Sequence, residues 1–227
     1  MSYQTIPAGT VPGDWRPGIA ARVKGYISTL TRMAVSSNGT NIAGEMNLGS
    51  ATGTGTVLPA AIDGGGTTIS SGASAGGVRV ASLGGNASVG TYVNNARTTA
   101  WAIYQRAKIA TAVASGAEIA VMCCLQDGTN DNYLGQAAAT STTNWVFVIN
   151  GAATDTTVAF DTNWNDLLLI NDGTTVTAYV NWVAVGSGLA TGIAAAAGWA
   201  RSYCSNAAVN GTVNFHINRW AMFTADP

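Results

Sequence analysis

Short apolar segments separated by turn signals run through the chain from about residue 76 onward, and this pattern constrains the fold more than any other feature. They recur at the spacing of about 8–12 residues that is typical of β-sandwiches and barrels. The best helical candidate, GIAAAAG at residues 192–198, is short, uncapped and bounded by glycine. The pattern predicts an all-β domain with strands at VRVASL (78–83), TAWAIYQRAKI (99–109), AEIAVMCCL (117–125), NYLGQAAA (132–139), NWVFVIN (144–150), TTVAF (156–160), NDLLLIN (165–171), TTVTAYVN (174–181), WVAVG (182–186) and VNFHINRWAMF (213–223).

The segment at residues 144–150 is apolar on both of its faces. Trp145, Phe147 and Ile149 share one face, while Val146 and Val148 share the other. A half-exposed strand would alternate apolar and polar residues, so this segment predicts an inner strand that is covered on both sides.

The last segment changes the parity of its apolar residues along its length. Phe215 and Ile217 fall on one parity, and Trp220 and Met222 fall on the other. A β-bulge of one residue near Arg219 would restore a continuous apolar face, and we favour that interpretation. The alternative is that the strand ends at Asn218.

Residues 1–75 differ in composition from the rest of the chain. They contain four of the five prolines and glycine-rich stretches such as GSATGTGT and DGGGTTISSGASAGG. These are loop and linker signals, so we interpret residues 1–75 as an extended N-terminal arm that orders against neighbouring subunits, followed by a sandwich at residues 76–227. Residues 26–35 within the arm fit either a strand or a single helical segment. The alternative interpretation of the whole arm is a flexible terminus.

Charge is too sparse and too scattered to indicate a charged partner. Charged residues make up 9% of the chain and the formal net charge is −1. Nucleic-acid binding normally needs clustered basic residues, and the closest pair, Arg106 and Lys108, is interpreted as the solvated face of one strand. No stretch of about 18 consecutive apolar residues is present, so a membrane-spanning helix is not expected.

The cysteines and the first residues indicate folding in a reducing compartment. Cys123 and Cys124 are adjacent, so on a strand they point to opposite faces, and Cys204 is left over. This is not a disulfide framework. The chain begins without the basic and apolar regions of a secretory signal, so we expect synthesis in a host cytoplasm.

Residues 159–187 contain the most specific pattern in the chain. A tryptophan opens a strand, an Asp-Gly turn leads to a second strand, and a tight turn at Asn181 and Trp182 leads to a third. Asp-Gly between alternating apolar residues is a strong hairpin signal, because both central positions of the favoured turn need φ > 0. The segment resembles the signature meander of the concanavalin-A-like, laminin-G-like superfamily, matching it at Trp164, Asp172, Gly173, Tyr179 and Asn181.

The order of the surrounding segments resembles a version of this domain found in bacteriophage structural proteins. That version has strands like those at residues 99–109, 144–150 and 213–223, and an apolar strand that ends in a turn like LQDGTND. The resemblance covers residues 76–227. It implies an antiparallel two-sheet jelly-roll sandwich and a role as a capsid decoration, head-fibre or tail-fibre protein.

One position departs from the superfamily pattern. Trp182 stands in the second turn where the family usually has glycine. Tryptophan tolerates φ > 0 poorly, so we expect this turn to be longer or of another type. The indole then either packs on the adjacent strand, which we favour, or projects from the hairpin tip as a contact residue.

The sequence offers no arrangement that is typical of an enzyme. Glycoside hydrolysis needs two carboxylates that face one sugar, yet Glu45 and Glu118 have no acidic neighbour two or four residues away. The single histidine, His216, is interpreted as a residue on a solvent-facing or subunit-facing strand. We therefore expect a non-enzymatic protein.

The loop at residues 127–132 has two interpretations. Its sequence, Asp-Gly-Thr-Asn-Asp-Asn, is typical of a turn. Asp127, Asn130 and Asp131 also carry the oxygen ligands that calcium prefers, so a calcium site is the alternative. No other cofactor is expected.

The functional expectation is a virion protein that has the other capsid or tail proteins and its own copies as partners, as a homotrimer. The alternative is a carbohydrate-binding module that recognises glycans on the host surface. For that role the candidate ligand-binding residues are Trp182, Tyr133 and Trp199, whose rings would stack on sugars.

Overall fold

A computed structural model describes residues 24–29, 46–59, 66–83, 92–93, 95–207 and 211–224 of the chain. These residues form sixteen β-strands and one short 3-10 helix at Ala190–Gly192. The strands are β1 (Lys24–Thr29), β2 (Met46–Thr52), β3 (Thr56–Pro59), β4 (Thr67–Ser70), β5 (Val78–Leu83), β6 (Tyr92–Val93), β7 (Trp101–Thr111), β8 (Ile119–Gln126), β9 (Asp131–Ala137), β10 (Ser141–Ile149), β11 (Ala152–Ala159), β12 (Trp164–Asn171), β13 (Thr175–Val180), β14 (Val183–Leu189), β15 (Gly198–Ser205) and β16 (Asn214–Thr224).

The strands form two antiparallel sheets. Sheet A has the order β14-β13-β12-β7-β16-β4-β3, and β1 pairs with β16 beside β4. Sheet B has the order β11-β10-β9-β8-β15-β5-β2, and β6 pairs with β15. Each sheet therefore draws strands from both ends of the described chain, which makes most of its pairings long-range.

The inner faces of the two sheets meet in one hydrophobic core. Its largest fully buried side chains include Trp101 and Trp220 from sheet A and Trp145 from sheet B. One polar contact also joins the sheets, since the Gln105 amide of β7 donates to the Ser202 hydroxyl of β15 at 2.7 Å. Burial of alternate residues on each strand is the main favourable contribution to such a sandwich.

All ten strands that the apolar pattern predicts are present. The strand at β10 lies between β9 and β11 and is buried on both faces, as predicted. The bulge predicted in the last strand is confirmed, because the register of β16 against β7 shifts between Ile217 and Arg219 and the strand continues to Thr224. Cys123 lies in the main core and Cys124 in a small cluster on the outer face of sheet B, so adjacent cysteines do face opposite sides. GIAAAAG forms no α-helix.

The predicted boundary at residue 75 is wrong for the described part of the arm. Strand β1 pairs with β16, β2 pairs with β5, and β4 pairs with β16 and β3, so all four belong to the sandwich. In the described parts of the glycine-rich stretches, residues 53–55 and 71–77 connect short strands, and Val57 and Ile69 contribute to the core. Residues 24–29 are a strand, the first of the two options for that segment. Residues 1–23 and 30–45 lie outside the described residues.

Both turns of the meander differ from their predicted form. Asn171 pairs with Val176, so the first loop is longer than two residues, and Gly173 has φ +90° while Asp172 does not have positive φ. The cause is the Asp172 carboxylate, which accepts hydrogen bonds from the backbone N–H groups of Thr174 and Thr175 at 2.8 Å each.

The second turn is tight, contrary to the expectation. Val180 pairs with Val183, so only Asn181 and Trp182 lie between the strands. Both have positive φ, at +49° and +70°. Positive φ at both central residues is what the favoured hairpin turn requires, and here a tryptophan supplies it.

Within the described residues, no helix is long and apolar enough to cross a membrane.

Candidate functional site

Strand β7 presents a row of polar side chains on the outer face of sheet A. Its inward residues are fully buried, whereas Tyr104, Arg106 and Lys108 alternate with them and are half-buried. Strands place every second side chain on one face, so these three lie in a line, about 7 Å apart from one to the next.

The bulge in β16 brings a third basic residue to this row. Because the register shifts after Ile217, Arg219 pairs directly with Arg106 and lies on the same outer face. His216 pairs directly with Lys108. We refer to Arg106, Lys108 and Arg219 as the cationic surface.

Among the residues that the structure describes, no carboxylate lies within ion-pair distance of the cationic surface. Among the described residues, the ion pair within 4.0 Å is Arg201–Asp131, which lies on the other sheet. The Nε atom of Arg106 is buried and has no hydrogen-bond partner in the described part of the chain. Like charges directly opposite each other on a sheet are destabilising, and Arg106 and Arg219 are such a pair.

His216 adds little charge to this region. Its Nδ1 atom lies 2.8 Å from the Thr68 hydroxyl. Burial lowers the pKa of His216 and the neighbouring Lys108 lowers it further, so the imidazole stays neutral at pH 7.

The Asp166 carboxylate, which lies beside this row, accepts a hydrogen bond from the Tyr104 hydroxyl. Asp166 of β12 pairs with Arg106 of β7, but its Oδ1 atom accepts a hydrogen bond from the Tyr104 hydroxyl at 2.7 Å. Burial raises the pKa of Tyr104, and Asp166 raises it further, while Arg219 and Arg106 act in the opposite direction. The positive charges of Arg106 and Arg219 therefore lower the pKa of the Tyr104 hydroxyl, but by less than burial and Asp166 raise it.

The turn between β13 and β14 carries Trp182 over this face. The Asn181 side chain fixes the turn to β12, because its Oδ1 accepts from the Asp166 N–H at 2.9 Å and its Nδ2 donates to Asn165 Oδ1 at 2.8 Å. The next residue, Trp182, then reaches across β12 to β7. Its indole stacks on the Tyr104 ring, with 5.8 Å between the ring centroids and 8° between the planes.

We refer to Trp182 and Tyr104 as the aromatic platform. Trp182 remains 38% exposed, the one aromatic among the exposed large hydrophobic side chains of the described residues. As favoured, Trp182 packs on the sheet, but on Tyr104 of β7, two strands away from β13, and not on the adjacent strand. Its free surface also leaves it available for contact.

The outer face of sheet B carries the other predicted ligand-binding residues. Trp199 lies there half-buried on β15. Tyr133, which we expected to be exposed, is 7% exposed, because it packs in the small outer cluster with Val121, Cys124 and Val148. The structure therefore separates Trp182 from Trp199 and Tyr133, on opposite outer faces of the sandwich.

A polar network that the sequence patterns did not predict lies beside Trp199. Asp131 accepts hydrogen bonds from Arg201 Nε at 2.6 Å and from the Tyr203 hydroxyl at 3.0 Å, and Arg201 lies 5.0 Å over the Tyr203 ring. Strand β15 was missed because its inward residues are small: Gly198, Ala200, Ser202 and Cys204. A large side chain at every second position, in Trp199, Arg201 and Tyr203, is the signal that would have found it.

The predicted calcium ligands are bonded to three different sets of partners. Asp127 Oδ1 accepts from the N–H groups of Thr129 and Asn130 at 3.0 and 2.7 Å, and its Oδ2 accepts from the Asn132 amide and the Ala194 N–H at 3.0 and 2.9 Å. Asp131 binds Arg201, and the Asn130 amide donates to Asn150 at 2.9 Å.

These bonds match the turn interpretation of the loop. Within the described ranges, no group of three or more His, Cys, Asp or Glu side chains is placed to hold a metal ion. A calcium ion at this loop stays a prediction, and binding it would require the N–H donors to turn away from Asp127.

The carboxylates and thiols of the described residues are held apart or buried. No two of their carboxylates share a hydrogen-bond donor, and Asp166 and Asp131 lie on opposite outer faces. Burial raises the pKa of each thiol, to about 12 for Cys204, so none is an activated nucleophile.

Neither a model of a known protein family nor a curated protein matches the sequence. Solved structures resemble the fold. A protein of unknown function from Shewanella oneidensis MR-1 is similar with a TM-score of 0.59 and 15% identity, over 91% of this chain and 88% of that one. The Crh5 transglycosylase is similar with a TM-score of 0.55 and 12% identity, over 89% and 85%.

A botulinum neurotoxin type C structure, reported with cell entry that depends on two ganglioside molecules, has a TM-score of 0.53 and 14% identity. The match covers 88% of this chain and 47% of that one, so this chain spans about half of that structure. At these identities the likeness shows the fold alone. The protein is an all-β, antiparallel two-sheet jelly-roll sandwich, as the sequence resemblance implied.

Proposed function

We propose that this chain is a non-enzymatic glycan-binding domain whose ligand packs on the aromatic platform of Trp182 and Tyr104. The observation that carries the proposal is the indole that lies flat on the outer face of sheet A with 38% of its surface exposed. One face of a sugar ring consists of C–H groups, which pack well against a flat aromatic surface, while neighbouring polar groups hydrogen-bond the hydroxyls.

The backbone at Trp182 supports a role beyond packing. A left-handed conformation costs roughly 1–2 kcal/mol for a residue with a Cβ atom, and glycine would adopt it freely. Stacking on Tyr104 contributes about 0.5–1.5 kcal/mol, which is of the same size as that cost. Strain of this kind clusters at ligand sites, where the strained residue supplies the contact.

The fold is compatible with this proposal. The neurotoxin that interacts with gangliosides and the Crh5 transglycosylase share the sandwich. Because the same fold occurs in a transglycosylase, the non-enzymatic part of the proposal rests on the described carboxylates, none of which shares a donor with another.

A glycan array probed with the purified chain tests the proposal, together with the variants Trp182→Ala and Trp199→Ala. Both tryptophans are partly exposed, but they lie on opposite sheets, so they form a matched pair. We expect at least one glycan class to bind the parent chain, Trp182→Ala to weaken that binding about tenfold or more, and Trp199→Ala to leave it unchanged.

If Trp199→Ala weakened binding and Trp182→Ala did not, the site would lie on sheet B and the aromatic platform would not be the binding site. An array on which the parent chain binds no glycan would reject the proposed function itself.

A role in a bacteriophage virion, as a homotrimer that displays this domain, is a separate proposal. It is supported by the ordered set of motifs over residues 76–227 and is compatible with glycan binding. Electron microscopy of particles that lack the protein tests it, because an unchanged particle surface would remove it. Light scattering on the purified chain tests the trimer.

A further inference from the structure

We propose that the glycan bound at the aromatic platform is acidic, a polysaccharide or oligosaccharide that carries carboxylate or sulfate groups. This inference rests on the proposed function and adds the ligand's chemical class. The groups that select it are the three side chains of the cationic surface, Arg106, Lys108 and Arg219, next to the platform.

The position of the cationic surface relative to the platform is fixed by strand geometry. Tyr104 and Arg106 are two residues apart on β7, so they are neighbours on one face, about 7 Å apart along the strand. Arg219 lies directly opposite Arg106 on β16. A sugar ring stacked on the platform would therefore place its substituents, or those of the next ring, over two guanidinium groups.

The cationic surface gathers three of the chain's few basic residues in one small area. The whole sequence has ten Lys and Arg residues among 227, and three of them meet here although β7 and β16 are more than a hundred residues apart. Asp166, which pairs with Arg106, accepts a hydrogen bond from Tyr104 and keeps its negative charge, so three cations face one carboxylate and positive charge is in excess. Among the described residues none of the three cations is in an ion pair, and an anionic ligand would balance the excess.

The chemistry of the guanidinium groups agrees with this class of ligand. Arginine presents a planar set of donors that matches the two oxygens of a carboxylate or sulfate. Among the described residues, the Nε atom of Arg106 is buried without a partner. The hydroxyls of a neutral glycan also accept hydrogen bonds from arginine, but they lack the negative charge that strengthens such bonds.

Nucleic acid is the less favoured anionic ligand. A duplex-binding surface usually extends along many phosphates, whereas here three cations lie beside a single aromatic pair in a chain of net charge −1. Nucleic acid therefore enters the test as a competitor.

The experiment compares acidic oligosaccharides with neutral counterparts of the same linkage. Suitable pairs are oligogalacturonates with their methyl esters, and sulfated oligosaccharides with their desulfated forms, measured by calorimetry at about 50 mM and 500 mM salt. We expect an acidic member to bind about tenfold or more tightly than its neutral partner at low salt, with the difference shrinking at high salt.

Variants separate this inference from the proposed function. The Arg106→Gln, Arg219→Gln double variant should lose the preference for the acidic member and keep the affinity for the neutral one. Trp182→Ala should weaken both. Arg97→Gln changes the net charge like each single variant, but its guanidinium donates to the Ile193 carbonyl elsewhere, so it should keep the preference. Thermal melting of each variant confirms that it is folded.

Each outcome either supports or overturns the assignment of an acidic glycan. Equal binding of the acidic and neutral members at low salt would overturn the acidic class and leave the proposed function standing. Binding of no member of any pair, with a silent glycan array, would overturn both. Displacement of the acidic glycan by short DNA of similar charge, at equal or lower concentration, would assign the surface to nucleic acid instead.

Discussion

The indole of Trp182 lies parallel to the ring of Tyr104, with 5.8 Å between centroids, and it does so from a backbone position at φ +70°. Trp182 is the second residue of the two-residue turn after β13, and from there its side chain extends over β12 to β7. The left-handed backbone lowers stability, whereas the proposed ligand contact needs the indole, so the two place opposite demands on this position.

Two single variants, Trp182→Gly and Trp182→Ala, should separate these demands. We expect Trp182→Gly to be more stable than Trp182→Ala by about 1 kcal/mol, because glycine adopts positive φ without strain and alanine does not. Both variants should lose glycan binding, since both lack the indole. Urea denaturation with a fixed slope measures the difference, and an alanine variant as stable as the glycine variant would contradict it.

Sequence patterns predict the strands with large apolar residues and fail where the inward residues are small. Strands β8, β10 and β12 are evident from their valines, leucines and isoleucines, whereas β15 buries glycine, alanine, serine and cysteine. The glycine-rich first part of the chain was interpreted as an arm for the same reason, because its strands bury few large side chains. Short strands such as Thr56–Pro59 bury one or two side chains each and leave little periodicity to detect.

The sequence indicates some individual residues of the candidate site, but it does not indicate which residues lie opposite each other on neighbouring strands. Trp182 stands out because glycine is expected there, and the bulge near Arg219 follows from the parity of Phe215 and Trp220. The bulge turns Arg219 outward, but that it lands opposite Arg106 depends on the register between β16 and β7. Register across more than a hundred residues is set by packing of the whole sandwich, so the strand sequence does not reveal it.

Addition of calcium should not stabilise the protein. Four N–H donors already occupy the two oxygens of Asp127, and Asp131 is committed to Arg201. We expect the melting temperature in millimolar calcium to equal that in chelator, because an ion that binds the folded state would raise it. A calcium-dependent rise that Asp127→Asn abolishes would instead establish the alternative interpretation of this loop.

The Asp127 carboxylate should make stability depend on pH in the acid range. Burial would raise its pKa, but hydrogen bonds from Ala194, Asn130, Asn132 and Thr129 outweigh it, so the pKa lies below the usual value. A lowered pKa in the folded state means that the contribution is complete above the unfolded pKa of about 4 and is lost as pH falls through the folded value.

Asp127→Asn should therefore cost about 1–3 kcal/mol at pH 7, since it places an amide where two donors converge, and the difference from the parent should shrink toward pH 3. Asp172→Asn is the matched control. Asp172 also precedes a glycine in a loop, but only its Oδ1 is bonded, and asparagine keeps that acceptor. A loss for Asp172→Asn as large as that for Asp127→Asn would contradict this account.

The pair of Asp131 and Arg201 should stabilise sheet B without contributing to the proposed ligand site. Their side chains are 13% and 25% exposed, so removing one leaves a poorly solvated charge. We expect Arg201→Met to cost about 2–3 kcal/mol, somewhat less than for a fully buried pair, and Asp131→Asn to cost a similar amount. The double variant should be more stable than the sum of the two losses implies, because it leaves no unpaired charge.

Urea denaturation of the four proteins in this cycle gives the coupling energy between Asp131 and Arg201, and calorimetry with the best glycan gives their effect on binding. Unchanged affinity in every folded variant is the expected result, since the network lies on the opposite face from Trp182. Additive losses of stability would show that the two charges are independently solvated. A loss of affinity in the double variant, with its fold intact, would show that the ligand contacts sheet B and that the aromatic platform is not the site.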